Sequence, residues 1–261
     1  MKPTLLIDSD TLVYSAALAA ECPVQWDESL WTLHAEFDQT VGYFEEELGV
    51  ILGSLEHDRV IMALSASGTR WRESVMPKYK EKRKPLRRPL TYGPLREYIQ
   101  NKFETFMRPT LEGDDVLGIL VTHPKLVPGE KIVVSIDKDM QTLPGRHLNY
   151  TKAKVAGPPY EQSVVDILEY DADRFHMWQT LTGDKTDGYP GCPGIGPVKA
   201  DKILNNVHPA EWWDVVVGAY KKAGLTEADA LQNAQVARIC RHTDYDFQKK
   251  EVVLWTPIAS S

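Results

Sequence analysis

The chain has 261 residues, 43% apolar and 26% charged, the composition of a globular protein with room for one large domain or two lobes around a cleft. Its three cysteines (Cys22, Cys192, Cys240) show neither disulfide-framework nor zinc spacing. The first apolar run is too short for a secretory leader and none approaches a membrane span, so a soluble protein of a reducing cytoplasm is expected.

The net charge of −7 argues against a nucleic-acid binder until its distribution is read: residues 70–88 hold nine Lys/Arg against two Glu, +7 locally, leaving −14 on the remainder. In chain order, residues 4–7 read as a buried strand running into Asp8, and 11–20 are helical in composition. Residues 34–52 carry Phe37, Val41, Phe44, Leu48 and Leu52 at helical spacing. Residues 59–64 form a second short strand. The basic strip follows, broken by Pro77, Pro85 and Pro89 into at most short helical pieces. Residues 95–106 are predicted as helix. Gly113 opens another helix over 114–122, stopped by Pro124. A third strand over 131–136 again runs into acid, and 146–150 form a fourth. This alternation predicts an α/β fold with a mostly parallel central sheet and flanking helices. After about residue 160 the pattern turns helical, over 172–182, 198–205, 211–223 and 227–241. The expected organisation is an α/β core over 1–160 that includes a basic arch at 70–96. A helical lobe over 161–261, with a hairpin at 184–205, packs on that core.

Eight carboxylates fall into four packets: Asp8; Glu112, Asp114 and Asp115; Asp137 and Asp139; Asp184 and Asp187. Taken singly, most of these are what a helix cap or a turn uses. Asp8 is different, because an acid closing a buried strand needs a partner. Asp8 and Asp137 both follow strands and converge on the carboxyl edge of a parallel sheet. So many carboxylates in one crevice repel unless divalent cations neutralise them, and an all-oxygen donor set favours Mg²⁺ or Mn²⁺ over zinc. Two such ions, about 4 Å apart, activate water and stabilise the leaving oxygen of a phosphodiester.

The sequence Gly194-Ile195-Gly196-x-x-x-Ala200 is the hairpin pattern of helix–hairpin–helix DNA binders. Its open backbone N–H groups, at the mouth of the helix containing Lys199, suit a phosphate and read no base sequence. In the basic strip, Lys80 and Arg83 stand one turn apart if helical. They are placed to meet the scissile phosphate and offset its transition-state charge. Tyr79 is expected to stack on a base, with Arg72, Lys78, Lys82, Lys84, Arg87 and Arg88 as phosphate contacts. A solvated basic loop is the blander alternative.

Together these motifs resemble the 5′-nuclease superfamily: flap endonucleases, the 5′-nuclease domain of bacterial DNA polymerase I, and bacteriophage 5′→3′ exonucleases. LLIDSDTLVYSAA is similar to the family's first strand and acid; Trp71-Arg72 with Pro77-Lys78-Tyr79-Lys80-Glu81-Lys82-Arg83 to its arch; LEGDD, SIDKDMQTL and TGDKTDGYPGCPGIG to its remaining motifs. The resemblance implies a PIN-like α/β fold whose helical lobe carries a helix–three-turn–helix. It implies two Mg²⁺ ions, replaceable by Mn²⁺: one among Asp8, Glu112, Asp114, Asp115 and Asp137 or Asp139, the other near Asp139, Asp184 and Asp187. Lys80, Arg83, Asp8 and Asp137 are the implied catalytic residues. A K⁺ ion is implied at the hairpin, at Cys192 and Ile195.

Substrates implied are duplex 5′ ends, nicks, 5′ flaps and RNA–DNA hybrids including RNA primers, cut to leave 5′-phosphates during replication, primer removal or recombination. A monomer is expected, in the host cytoplasm if phage-encoded, with DNA and replication proteins as partners and no membrane. The family usually carries one more Asp after the second strand, where this chain has Ser65, Ala66 and Ser67. A non-catalytic DNA-structure binder of the same fold, and a PIN-like ribonuclease, are the competing readings.

Overall fold

The computed structural model describes residues 2–83, 86–157 and 160–257. Strand β1 (Thr4–Asp8) is buried along its whole length and feeds helix α1 (Ser9–Ala19). A hairpin of β2 (Glu21–Gln25) and β3 (Trp31–Ala35) follows, then α2 (Phe37–Ser54). The predicted helix over 34–52 therefore starts later. Residues 31–35 alternate in character and pair antiparallel with 21–25, so cross-strand bonding takes the segment that helical composition had claimed.

Next come β4 (Arg59–Ala63), the short α3 (Trp71–Val75), α4 (Tyr92–Lys102), β5 (Thr105–Phe106), α5 (Gly113–Thr122), β6 (Lys131–Val134), β7 (Gly145–Leu148), α6 (Tyr150–Ala156) and β8 (Val164–Ile167). The helix predicted over 95–106 ends at Lys102, because Thr105 and Phe106 pair with Met62 and Ala63 at the sheet edge.

The six-stranded sheet has the order β5-β4-β1-β6-β7-β8, parallel throughout except for β8, which runs antiparallel to β7. Its alternating residues serve two layers. Leu5 and Ile7 pack with Phe44, Ile51, Leu95 and Ile99 of α2 and α4. Leu6 faces the opposite side with Val116, Leu117 and Leu120 of α5. A period of two in side-chain direction, with both faces covered, makes β1 apolar from Leu5 to Ile7.

Helices α7 (Glu169–Thr182), α8 (Pro197–Leu204), α9 (Trp212–Lys222) and α10 (Glu227–Ala237) enclose a core of their own, centred on Leu181, Leu204, Val216 and Tyr220. The helix predicted over 227–241 stops at Ala237. Ile239 and Cys240 then run back into the layer beneath α5, and a small hairpin of β9 (Tyr245–Asp246) and β10 (Glu251–Val252) follows. Among the described residues no helix is long and apolar enough to cross a membrane.

Candidate active site

The register of the central strands decides what gathers at their carboxyl edge. Asp8 lies level with Ala63, and Ile7 with Val134, so the exits of β1, β4 and β6 open side by side. Asp8 is 4% exposed, and its Oδ2 accepts from Ser135 Oγ at 2.7 Å and Thr11 Oγ1 at 3.1 Å. Burial raises its carboxyl to about 6; the Ser135 hydrogen bond opposes that shift, and neighbouring Asp10 and Asp137 add to it. Asp137 caps the turn Lys138–Thr142, with Oδ1 accepting from the Asp139 N–H at 2.8 Å.

The mouth of α5 supplies the next packet. Glu112 and Asp115 form a capping box around the first turn, where the helix dipole favours carboxylates. Beyond that the two acids face different ways. Asp115 is fully buried and takes the guanidinium of Arg72 on both oxygens at 2.8 Å, with Trp71 Nε1 at 2.9 Å and the Cys240 N–H at 3.1 Å. Glu112 is held by Lys80 Nζ at 2.7 Å, Arg72 Nη1 and Tyr79 Oη at 2.9 Å, and Arg70 Nε at 3.0 Å. Burial alone would raise the Glu112 carboxyl; Lys80 and Arg72 outweigh it and hold it at about 2. Between them Asp114 lines the cavity. Burial, then Asp8 and Asp137, push its carboxyl well above the usual range.

Residues 76–83 lie across this mouth as a lid. Lys80 adopts a left-handed backbone (φ 50°), which turns its N–H onto the Asp187 carbonyl at 2.7 Å and drops its ammonium between Glu112 and Asp187. Tyr79 is 2% exposed, with its hydroxyl on Glu112 and on Asp187 at 3.1 Å. Asp187 comes from the turn after α7, whose ends meet where Gly183 and Gly191 pass each other. Both have φ of 66°, and a Cβ on either would fall within 2.6 Å of the other strand's backbone.

The result is a polar cavity of about 200 Å³, with Asp8, Asp10, Glu112, Asp114, Asp137 and Asp187 on its acidic walls and Arg70, Lys80, Arg88 and Arg96 on its basic side. Asp139 and Asp184 stand just outside it. Lys138 Nζ bridges them at 2.8 and 2.7 Å, and Gln179 Nε2 donates to Asp139 at 2.6 Å. A second cavity of about 300 Å³ lies between the lid and the 184–190 turn, lined by Lys78, Lys80, Lys82 and Lys185.

Five of the eight expected carboxylates thus share one cavity, and three do not line it. Asp115, expected as a metal ligand, has both oxygens occupied by Arg72, Trp71 and backbone N–H groups and lies in the core. Arg72, expected on a phosphate, is its partner. At 3% exposure it donates to Glu112, Asp115 and the carbonyls of Val236 and Arg238, leaving nothing for a phosphate. Tyr79, expected on a base, is buried by its hydroxyl's two acidic acceptors. Arg87 is exposed but doubly bonded to Glu21 of β2, at 2.6 and 2.7 Å. Lys82 is exposed. Arg83 ends the turn Glu81–Arg83, its side chain lying outside the described residues, as does Lys84.

In the hairpin, Gly194 has φ 72°, Gly196 caps α8, and Lys199 Nζ donates to the Gly194 carbonyl at 2.8 Å. The Cys192 carbonyl accepts from the Ile195 N–H at 3.1 Å. Asp10, Arg70, Arg96, Ser135 and Lys138 belong to the site without having been singled out from sequence. Asp10 carried a usable signal, standing two residues after Asp8 in IDSD, as did Arg70 at the start of the basic strip and Lys138 between Asp137 and Asp139.

The donor chemistry fits a hard divalent cation. Among the described residues no Lys or Arg pairs with Asp8, Asp114 or Asp137, and burial pushes the carboxyls of Asp8 and Asp114 upward. No group of three His, Cys, Asp or Glu side chains among the described residues is arranged to hold an ion as it stands. Lys80 and Arg72 draw Glu112 toward the lid, and Lys138 draws Asp139 and Asp184 away.

A family model described as 5′-3′ exonuclease, N-terminal resolvase-like domain, matches residues 3–173. The exodeoxyribonuclease of Enterobacteria phage T3 is 30% identical over 295 aligned positions, covering 98% of this chain and 93% of that protein. The exonuclease of Escherichia phage T7 is 29% identical, covering 98% and 94%. The fold is similar to that of a bacteriophage T5 D15 flap endonuclease variant solved in a pseudo-enzyme-product complex with DNA and metal ions. The TM-score is 0.56 at 15% identity, over 90% of this chain and 89% of that one.

Proposed function

The chain belongs to the 5′-3′ exonuclease family, and from that membership we propose that it hydrolyses phosphodiesters at DNA 5′ ends, nicks and 5′ flaps, and in RNA–DNA hybrids, leaving 5′-phosphates. Primer removal during replication, or recombination, is the setting this activity serves. The names of the T3 and T7 relatives and of the T5 flap endonuclease support the class of reaction. The observation that carries it is local: Asp8, Asp114 and Asp137 line one cavity at the carboxyl edge of the sheet and the mouth of α5, with no Lys or Arg among the described residues paired to them, beside a lysine lid.

Mg²⁺, or Mn²⁺ in its place, is the ion this set suits. Asp8, Glu112, Asp114 and Asp137 would hold one ion, and Asp139, Asp184 and Asp187 a second. When bound, the pair supplies an activated water and charge stabilisation at the leaving oxygen. The chain's own residues do the rest. Lys80, released from Glu112, brings its ammonium to the scissile phosphate, and Arg83 acts beside it. The exposed Lys82 lies along the path of the strand. Gly194, Gly196 and Lys199 hold the duplex backbone, with K⁺ at the Cys192 and Ile195 carbonyls, and the chain acts as a monomer.

The test is a 5′-labelled flap and a nicked duplex incubated with Mg²⁺ or Mn²⁺, with EDTA as control. Metal-dependent release of short 5′ products is expected. DNA binding without cleavage in either metal would leave a non-catalytic DNA-structure binder instead.

A further inference from the structure

We propose that Asp10 is a positioning residue of the metal site, delivering from α1 the carboxylate that the loop after β4 lacks at Ser65. The inference rests on the metal-dependent reading above. Asp10 is the second residue of α1, yet its carboxylate reaches across to three other elements. Oδ2 accepts from the Ser65 N–H at 2.8 Å, and Oδ1 accepts from Arg96 Nη1 at 2.6 Å. A Cβ built on Gly113 would fall 2.9 Å from Oδ2 and 3.5 Å from the Ser65 nitrogen. The carboxylate is thus wedged against the first residue of α5, between Glu112 and Asp114 in sequence. The side chain of Ser65 completes the junction by accepting from the Gly113 N–H at 2.8 Å.

This geometry does more than pair Arg96. The guanidinium is fixed independently by the Ser65 carbonyl. It occupies one Asp10 oxygen and the Ser65 N–H the other. An ionised carboxylate has about four acceptor positions, so about two remain. Asp10 lines the same cavity as Asp8, Asp114 and Asp137, and its charge is felt at Asp8. A carboxylate so placed faces a hydrated divalent ion there, held in place by Arg96, which lines the same cavity. The arrangement also explains why a serine serves at position 65. Its backbone orients an acid carried by another element, and an acidic side chain there would meet Asp10.

The experiment titrates Mn²⁺ into the full chain without DNA, with free Mn²⁺ read by electron paramagnetic resonance. Asp10→Asn is expected to weaken Mn²⁺ binding by about 10–100-fold, the usual effect of losing a residue that orients a metal site. Adding Ser65→Asp to Asp10→Asn returns a carboxylate from the loop after β4 and is expected to recover most of that loss. A purely structural partner of Arg96 would instead lower the melting temperature and leave the affinity of the folded protein unchanged.

Should Asp10→Asn alone fail to fold, Asp10→Asn with Arg96→Met removes both charges and is read the same way. Unchanged affinity in the folded variant, or a loss that Ser65→Asp does not recover, would overturn the inference. Failure of the unsubstituted chain to bind Mn²⁺ would instead overturn the metal reading on which it rests.

Discussion

Arg72 and Asp115 meet fork to fork inside the protein: two nitrogens of one lie 2.8 Å from the two oxygens of the other, and neither side chain is more than 3% exposed. The same guanidinium donates to the carbonyls of Val236 and Arg238, so one side chain ties the start of the arch, the mouth of α5 and the end of α10 together. Truncating either partner leaves a buried charge alone. Arg72→Ala is expected to destabilise the chain by about 3–5 kcal/mol. Urea unfolding measures this, and a loss below about 1 kcal/mol, the scale of an exposed ion pair, would contradict the burial argument. Arg72→Met combined with Asp115→Leu should cost less than the sum of the single changes, since no orphan charge remains.

Asp8 makes the metal-free protein sensitive to pH. Its carboxyl titrates at about 6 when folded and near 3.8 when unfolded, so between these values the folded state binds more protons. Stability from this group is therefore lost as pH rises through that window. Measured in EDTA, the stability of Asp8→Asn relative to the parent should climb from pH 4 to pH 6 and then level. The total gain is about 3 kcal/mol at most. Mg²⁺ should raise the melting temperature of the parent at pH 7 far more than that of Asp8→Asn. A pH-independent difference between the two proteins would show that Asp8 is not the strained carboxylate.

Lys138 stands as an exposed cation bridging Asp139 and Asp184, at 2.8 and 2.7 Å. A divalent ion drawn to the same pair must displace it. Lys138→Met should therefore tighten Mn²⁺ binding, by about tenfold if the displaced contacts are worth ~1.4 kcal/mol. The same change should destabilise the protein in EDTA, where two carboxylates lose their counter-charge. Calorimetric titration and melting curves read the two effects separately. Weaker metal binding in the variant would make Lys138 a helper of the site instead of its competitor.

How much of this was legible beforehand follows from which forces are local. β1, α1, β4, α5 and β6 were readable because each is a local apolar run or periodic stretch, with acid at the end of β1 and at the start of α5. The hairpin Glu21–Gln25/Trp31–Ala35 and the edge strand Thr105–Phe106 were not, since only their partners across the sheet decide them. In the site, Asp8, Glu112, Asp114, Asp137 and Asp187 were legible as packets with glycine or strand ends beside them. The roles of Arg72 and Tyr79 were not. A basic strip looks uniformly solvent-facing in sequence, and which of its members turn inward depends on acids 33 to 43 positions away, Glu112 and Asp115. Asp10 was passed over for the same reason, because its partners Ser65 and Arg96 lie on other elements.

Lys80 has two tasks that a kinetic experiment can part. In the DNA-free protein it neutralises Glu112 and, at 3.4 Å, Asp187. The role proposed for it on substrate requires it to leave them for the phosphate. Lys80→Ala should lower kcat by about 10²–10³-fold, as expected for loss of a charge aimed at the transition state, with a smaller change in DNA affinity. Lys80→Arg should recover only part of kcat, because the buried slot between Glu112 and Asp187 fits an ammonium on a narrow stem. An effect on affinity alone, with kcat intact, would reduce Lys80 to a phosphate contact.

The remaining basic residues should separate by how far each charge is already spent inside the protein. Lys199 sits at the hairpin mouth with its ammonium on the Gly194 carbonyl, a neutral partner, and Lys82 is exposed beside the second cavity. Arg87 is bound through two nitrogens to the Glu21 carboxylate. A phosphate gains most from a cation that has no counter-charge. Lys199→Ala and Lys82→Ala should therefore each reduce the slope of log affinity against log salt by about one, equally for DNA of any sequence. Arg87→Ala should leave the slope nearly unchanged, because contact with DNA would first require breaking its pair with Glu21. Binding measured by fluorescence anisotropy over a salt series tests all three. A larger drop in slope for Arg87→Ala than for Lys199→Ala would mean that the pair opens on DNA and that the strand runs past the β2–β3 hairpin.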